Sequence, residues 1–263
     1  FIKTDITNNF TLEKIFKQFK FDYVFNFAAQ AGVRYSIQHP RKYVETNIVG
    51  FYNIIENSLK FEIKRLFYAS SSSVYGENKN FFLNENETIN PKNIYGLSKK
   101  INEEISMIFD TYYNLKMTGL RFFTVYGEWG RPDMMMMKYI DCYFNNKVFK
   151  LHNYGKHSRD FTYIQDVVRI LFQLLKKNKK LKNNEIFNIC SNKPISLNRI
   201  INIMGKNNIY PKIKKTSLEQ ADIIKTHGEN KRLIQVTNYK KFHSVEESIL
   251  ATINWYKKFN SIK

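Results

Sequence analysis

The stretch Arg65-Leu66-Phe67-Tyr68-Ala69-Ser70-Ser71-Ser72-Ser73 (65–73), followed across a loop with Pro91 by Tyr95-Gly96-Leu97-Ser98-Lys99 (95–99), decides the fold. Arg65 to Ser70 reads as a strand that ends in hydroxyls, and Tyr95 to Tyr113 reads as a long helix. Residues i and i+4 of a helix share a face, so Tyr95 and Lys99 point the same way. Sites of open parallel sheets form beyond the carboxyl ends of strands, which is where Ser71 stands. A neighbouring ammonium favours the phenolate, and a phenolate beside a hydroxyl can act as general base toward an alcohol. The spacing alone is common in this chain: Tyr75/Lys79, Tyr112/Lys116 and Tyr210/Lys214 repeat it. Only Tyr95 follows the strand-end hydroxyl cluster across a loop with Pro91 and stands at the start of a helix.

Outward from that stretch, strand and helix patterns alternate. Phe1-Ile2-Lys3 reads as the tail of a strand, and Leu12, Ile15, Phe16 and Phe19 give a helix over Leu12–Phe19. Tyr23–Phe27 reads as a short buried strand running into Ala28-Ala29-Gln30-Ala31-Gly32, where small side chains let a ligand approach the backbone. Tyr43–Leu59 is helical, Met117–Phe122 a strand. Strands joined by helices mean a parallel sheet with crossovers. Beyond Phe123 the spacing predicts helices over Met134–Asn145, Ile164–Leu175, Leu197–Met204 (capped by Ser196) and Val245–Phe259, with Ser244 and Glu247 as a capping box, and a strand over Ile186–Ile189. The four-methionine run reads as packing filler.

The 263 residues are 43% hydrophobic and 16% aromatic, a globular composition with enough chain for a real core. No apolar run approaches the roughly 20 residues that span a bilayer, so no membrane partner is expected. Cys142 and Cys190 lack any metal-ligand spacing, which predicts no metal and a reducing compartment, the cytoplasm. The net charge of +19 comes mostly from scattered lysines among Asn, Ile, Phe and Tyr; the densest run, Lys176–Lys180, reads as a solvated loop. No nucleic-acid partner is expected from it, although an anionic small substrate would profit from the same field.

Six runs carry a resemblance: Ala-Ala-Gln-Ala-Gly-Val-Arg-Tyr-Ser (28–36), Tyr-Ala-Ser-Ser-Ser-Ser-Val-Tyr-Gly (68–76), Tyr-Gly-Leu-Ser-Lys (95–99), Gly-Leu-Arg-Phe-Phe-Thr-Val-Tyr-Gly (119–127), Trp-Gly-Arg-Pro-Asp-Met (129–134) and Asn-Tyr-Gly-Lys-His-Ser-Arg-Asp-Phe-Thr-Tyr-Ile (153–164). Together they resemble the extended short-chain dehydrogenase/reductase family, with the UDP-glucuronate 4-epimerase branch nearest. The resemblance implies an α/β fold: a Rossmann-like doubly wound parallel sheet over 1–123, and a smaller C-terminal substrate-binding lobe over 124–263 whose segments at about 155–190 return to the Rossmann domain. It implies NAD as cofactor and a UDP-sugar as substrate. It also implies a homodimer through helices 43–59 and 95–113.

By the same resemblance Tyr95 is the base, Lys99 holds the nicotinamide ribose and tunes Tyr95, and Ser71 shares the sugar hydroxyl's proton, with Ser72 a rival for that role. Asp5 and Ile6 match the pair at the adenine. Ala28, Ala29 and Gln30 match the turn along the cofactor, and Asn47 a cofactor-side helix residue. Thr124 occupies a sugar-contacting position, Arg131 one where a guanidinium could grip a carboxylate in two places, Arg159 a pyrophosphate-binding position, and Asp222 the region closing over the ribose. Dehydratases of the family carry Asp-Glu where this chain has Ser72-Ser73, and decarboxylases carry Glu at the second position. Elimination needs an extra acid and base; epimerisation does not. The implied activity is therefore C4 epimerisation of UDP-glucuronate to UDP-galacturonate, with UDP-glucose 4-epimerase, another nucleotide-sugar enzyme of the family, or a non-catalytic truncated remnant as alternatives.

Two departures stand out. The family's Gly-x-x-Gly-x-x-Gly turn, its first strand and the residue that tells NAD from NADP have no counterpart after Phe1. The expectation is an N-terminally shortened chain that holds the cofactor poorly by itself, is inactive alone and tends to aggregate. Glu219-Gln220-Ala221-Asp222 stands where relatives often have Pro-Gly before the Asp.

Overall fold

The computed structural model describes residues 1–78, 80, 82–218 and 223–262. Its strands in chain order are β1 (Tyr23–Asn26), β2 (Arg65–Ser71), β3 (Met117–Phe122), β4 (Thr124–Tyr126), β5 (Phe149–Leu151), β6 (Ser158–Tyr163), β7 (Asn184–Ile189), β8 (Pro194–Ser196) and β9 (Ile213–Lys215). The α-helices are α1 (Asn9–Phe19), α2 (Val33–Gln38), α3 (Pro40–Tyr43), α4 (Phe51–Lys60), α5 (Ile94–Tyr113), α6 (Met135–Phe144), α7 (Ile164–Lys176), α8 (Leu197–Lys206), α9 (Lys231–Thr237) and α10 (Val245–Phe259). The chain divides into two compact units.

The first unit takes Phe1–Asn80, Asn84–Phe122 and Lys179–Asn188. Its sheet has the order β1-β2-β3-β7. β1 runs parallel to β2 (Tyr23↔Arg65 to Asn26↔Tyr68), and β2 parallel to β3 (Leu66↔Met117 to Ser71↔Phe122). Leu66, Phe67 and Tyr68 are fully buried, as a strand covered on both faces requires. Leu12 and Phe16 of α1, Phe51, Ile54 and Ile55 of α4, Leu115 and Met117 close one core with Leu66 and Tyr68. Each such side chain contributes about 1.5–3 kcal/mol on burial. α1 starts where the Asn8 side chain accepts from Thr11 N and stops where Lys20 turns left-handed. α3 and α4 are one helical run interrupted by a π-helical stretch, Val44–Gly50.

The second unit is built mainly from Phe123–Asn178 and the chain from Ile189 onward. β4 and β6 pair in parallel (Thr124↔Phe161 to Tyr126↔Tyr163), β6 and β8 antiparallel, and β5 pairs with β9. Its core gathers Met136, Met137, Tyr139 and Ile140 of α6, Phe161 and Tyr163 of β6, Ile200, Ile203 and Met204 of α8, and Ile249 and Ile253 of α10. The methionine run therefore fills core space. Ser196 and Ser244 cap α8 and α10, accepting from Arg199 N and Glu247 N.

The α/β, Rossmann-like expectation holds. Three local readings need correction. Phe1–Lys3 is irregular and not a strand tail, because no strand of the described residues pairs with it. The segment 23–27 is only partly buried: Asn26 is buried, but Phe25 is 36% and Phe27 44% exposed, since β1 stands at the sheet edge. Tyr43–Leu59 is not uniformly α-helical, its first half being the π stretch.

Candidate active site

Ser71 is the last residue of β2, and its hydroxyl accepts from Ser73 N at 3.1 Å, turning the chain into a 3₁₀ turn, Ser72–Tyr75. The bond leaves the hydroxyl proton of Ser71 able to donate elsewhere. α5 begins where the Asn93 side chain accepts from Gly96 N at 2.9 Å. A Cβ at Gly96 would lie 2.6 Å from Ser73 O and 3.0 Å from Pro91 Cβ. Only glycine lets the first turn of α5 settle on the serine turn, which seats Tyr95 beside the end of β2. Lys99, one turn on, is 3% exposed and donates from Nζ to Ala69 O at 2.8 Å. Burial lowers its pKa to about 8. The Tyr95 ring meets Tyr43 edge-on at 6.1 Å, and Tyr43 in turn donates to Ala31 O (2.9 Å) and Gly32 O (2.7 Å). The structure thus brings Ser71, Ser72, Tyr95 and Lys99 to one strand end.

The residues expected along the cofactor lie at the exit of β1 (Ala28–Gln30), in the π stretch (Asn47) and ahead of α1 (Asp5 and Ile6). Asn47, in the π stretch, is 1% exposed. Its Oδ1 accepts from Gln30 N (2.8 Å), and its Nδ2 donates to Gln30 O (3.0 Å) and to Ser98 Oγ (2.9 Å). Ala28 is exposed, and Ala29 and Gln30 are half-buried, so the exit of β1 offers a low path of small side chains. Asp5 accepts from Thr7 N and Thr7 Oγ1, both at 2.9 Å, and these bonds hold its carboxyl below the usual range. Asn53 Nδ2 donates to Ile6 O (3.0 Å), and a Cβ at Gly50 would lie 2.6 Å from Ile6 Cγ1, so Ile6 rests on the π stretch.

These groups fit NAD at its nicotinamide-ribose end. A buried ammonium that gives one N–H to a backbone carbonyl keeps two for ribose hydroxyls, and the alanines at 28–29 are small enough to let a ligand approach the backbone. Lys99, Asn47 and the Ala28–Gln30 backbone would hold that end.

Beneath the site lies a network that the sequence reading did not name. Glu103, one turn after Lys99, accepts from Ser70 Oγ (2.5 Å), Arg121 Nε (2.9 Å) and Arg121 Nη2 (2.8 Å). Arg121 also donates to Tyr75 OH (2.9 Å) and lies over its ring, and Tyr75 donates to Asn188 Oδ1 (2.7 Å). Arg121 and Glu103 are 4% and 2% exposed; burial opposes the arginine's charge, but the Glu103 bonds outweigh it and its pKa rises. Burial pushes the Tyr75 phenol up to about 12. The signal was present: an arginine inside the apolar strand Met117–Phe122 demands a buried partner.

Thr124, Arg131 and Arg159 belong to the second unit. Thr124 opens β4, half-buried. Arg131 forms a two-point pair with Asp133, Nε–Oδ1 2.9 Å and Nη2–Oδ2 2.5 Å. Arg159 Nη1 donates to Ser158 O and Ile224 O, both 3.0 Å. Next to it, Asp160 accepts from Ser191 N (2.9 Å), Ser191 Oγ (2.8 Å) and Gly228 N (3.2 Å), tying two later segments to β6. The Thr162 hydroxyl is buried with no hydrogen-bond partner. Asp222 lies outside the described residues. Among the described residues no group of three or more His, Cys, Asp or Glu could hold a metal, and no helix is long and apolar enough to cross a membrane.

Comparison with known proteins identifies the family. The family model described as NAD dependent epimerase/dehydratase family matches residues 1–190. Protein CapI of Staphylococcus aureus is 36% identical across 98% of this chain and 83% of its own length. The UDP-glucuronate 4-epimerase of Thermodesulfobacterium geofontis is 35% identical across 98% of this chain and 79% of its own. Among solved structures, the UDP-glucuronic acid 4-epimerase from Bacillus cereus in complex with UDP-glucuronic acid and NAD superimposes with a TM-score of 0.91 at 26% identity, over 98% of this chain and 82% of that one. MoeE5 in complex with UDP-glucose and NAD gives 0.91 at 26%, over 98% and 86%. With its Tyr95–Lys99 helix seated on the serine-tipped strand, the chain belongs to the NAD-dependent epimerase/dehydratase family.

Proposed function

We propose that this protein interconverts UDP-glucuronate and UDP-galacturonate by NAD-dependent epimerisation at C4. The observation that carries the reading is the serine-tipped strand end, where Lys99 is buried one turn from Tyr95 and Gly96 seats their helix on the Ser71–Ser73 turn. Bound NAD supplies the acceptor, and then the donor, of the C4 hydride. Tyr95 takes the C4 hydroxyl proton while the Lys99 charge favours its phenolate, and Ser71 donates to the same sugar oxygen; Ser72 is the second candidate for that hydrogen bond. Tyr95 then returns the proton once the 4-keto sugar has presented its other face. Ser72 and Ser73 place no carboxyl beside the sugar, which supports epimerisation over elimination.

A 4-keto glucuronate is a β-keto acid that loses carbon dioxide readily. Thr124 and Arg131 are proposed to hold its carboxylate, with Asp133 as the exchangeable resting partner of a half-exposed guanidinium. Arg159 is proposed for the pyrophosphate and Asp222 for the ribose. The proposed assembly is a homodimer through the helices over 43–59 and 95–113, which expose the apolar side chains of Val49, Tyr52, Met107, Ile108 and Tyr112. The proposed compartment is the cytoplasm; Cys142 and Cys190 are buried and form no disulfide.

The test is chromatography of UDP-glucuronate incubated with the full-length protein and NAD. UDP-galacturonate is expected; a UDP-pentose, or no turnover by a chain that binds NAD, would overturn the reading. The second reading, UDP-glucose 4-epimerase, draws on the Thermotoga maritima UDP-glucose 4-epimerase structure, which matches with a TM-score of 0.91 at 26% identity. UDP-galactose formed from UDP-glucose would favour it.

A further inference from the structure

Ser98 stands between Tyr95 and Lys99, is 2% exposed, and has no role in the chemistry just described. Its hydroxyl is nonetheless engaged in both directions. It donates to Tyr95 O at 2.8 Å and accepts from Asn47 Nδ2 at 2.9 Å. The other two arms of the Asn47 amide meet Gln30, accepting from its N–H and donating to its carbonyl. The amide therefore pairs with the backbone of Gln30 as a neighbouring strand would, and its third bond reaches α5. Turning the amide over would set N–H against the Gln30 N–H, so one orientation satisfies all three contacts.

The stretch that carries Asn47 explains why the bond is needed. In Val44–Gly50 the helix is wound in π fashion, with a wider turn than the α-helix on either side; such turns occur frequently at functional sites. Within that stretch Asn47 is buried, and the Ser98 hydroxyl holds its amide from the facing helix α5.

We propose that Ser98 is a positioning residue. By locking the Asn47 amide, it makes the exit of β1 at Ala28–Gln30 and the Tyr95–Lys99 turn of α5 move as one body. If Ala28–Gln30 and Lys99 hold NAD, a point at which this inference rests on the proposed function, then Ser98 sets the separation of two contacts on one cofactor without touching it. Ser98→Ala leaves an Asn47 N–H unpaired in a dry site, and the amide gains freedom to swing away from Gln30.

Hydrogen exchange at the Gln30 amide reads the clasp in the full chain without cofactor. Ser98→Ala should speed exchange there about tenfold, the equivalent of one buried hydrogen bond. Asn47→Ala should speed it further, and the double variant should match Asn47→Ala alone, because the serine acts only through the asparagine. Ser98→Thr keeps the hydroxyl and should restore protection; should Ser98→Ala fail to fold, Ser98→Cys gives the same readout through a weaker bond. NAD titration of the same proteins should show about fivefold weaker binding for Ser98→Ala, with the KM for UDP-glucuronate within twofold of the wild type. Unchanged exchange at Gln30, additive single effects, or general acceleration along α5 would overturn the proposal. A clasp that behaves as described in a protein without epimerase activity would remove the proposed function and leave the clasp standing.

Discussion

Lys99 brings a positive charge into a place where its recorded partner is the Ala69 carbonyl, and burial lowers its pKa from 10.5 to about 8. The unfolded chain therefore holds more protons between pH 8 and 10.5, and stability attributable to this group rises across that window. Below pH 8 the full cost, on the order of 3 kcal/mol, is present; above 10.5 it is gone. Lys99→Met should be more stable than the wild type at pH 7 and lose that advantage toward pH 10.5, as urea midpoints at several pH values would reveal; a gain independent of pH would contradict the assignment. The Glu103–Arg121 pair behaves in the opposite sense. Each partner is buried and compensates the other, so Glu103→Leu alone should cost about 3–5 kcal/mol in urea unfolding, while Glu103→Leu with Arg121→Met should recover a large part of it. Tyr95, Lys99 and Ser71 were legible in the sequence because their chemistry is unusual in that setting. Asn47 was legible by resemblance, but its partner Ser98 was not, because a serine inside a helix carries no mark of what it faces.

The first turn of α5 owes its position to the absence of a side chain at Gly96. Gly96→Ala must push Ser73 or Pro91 away, since a Cβ there would lie 2.6 Å from a backbone oxygen. A displacement near 1 Å at Tyr95, the proposed base, is enough to lower kcat by about 10²-fold, with a smaller effect on the melting temperature. Asn93→Ala, which removes the cap of the same helix, should cost about 1 kcal/mol of stability and leave the pH profile unchanged. Most elements could be drawn from apolar spacing, and α10 agrees with its expected ends because Ser244 and Glu247 mark its start. The π stretch left no such trace: the winding of Val44–Gly50 depends on what Asn47 and Gly50 meet across space. Phe25 and Phe27 misled for a related reason, since an apolar run looks alike in a central and an edge strand.

At the scale of the molecule, α5 and the helical run 43–59 expose Val49, Tyr52, Met107, Ile108 and Tyr112, apolar surface that a partner copy would cover in the proposed dimer. Met107→Glu with Ile108→Glu should shift sedimentation from dimer to monomer while leaving far-ultraviolet circular dichroism unchanged; a wild-type protein that sediments as a monomer at all concentrations would end the dimer proposal. Charge, by contrast, was a poor guide to architecture, as lysines spread over many surfaces say little about fold.

One feature of connectivity reaches further. The chain leaves the first unit after Phe122 and comes back for Lys179–Asn188, which supplies β7 to the first sheet, before continuing into the second unit. A protease acting in the lysine-rich turn Asn178–Lys180 would make two polypeptides, each owning pieces of both units. Neither product could diffuse off without pulling a strand from a sheet or a helix from a core. Nicked material should therefore co-elute as a single species and come apart only in denaturant, which makes that turn a natural place to join two separately expressed halves.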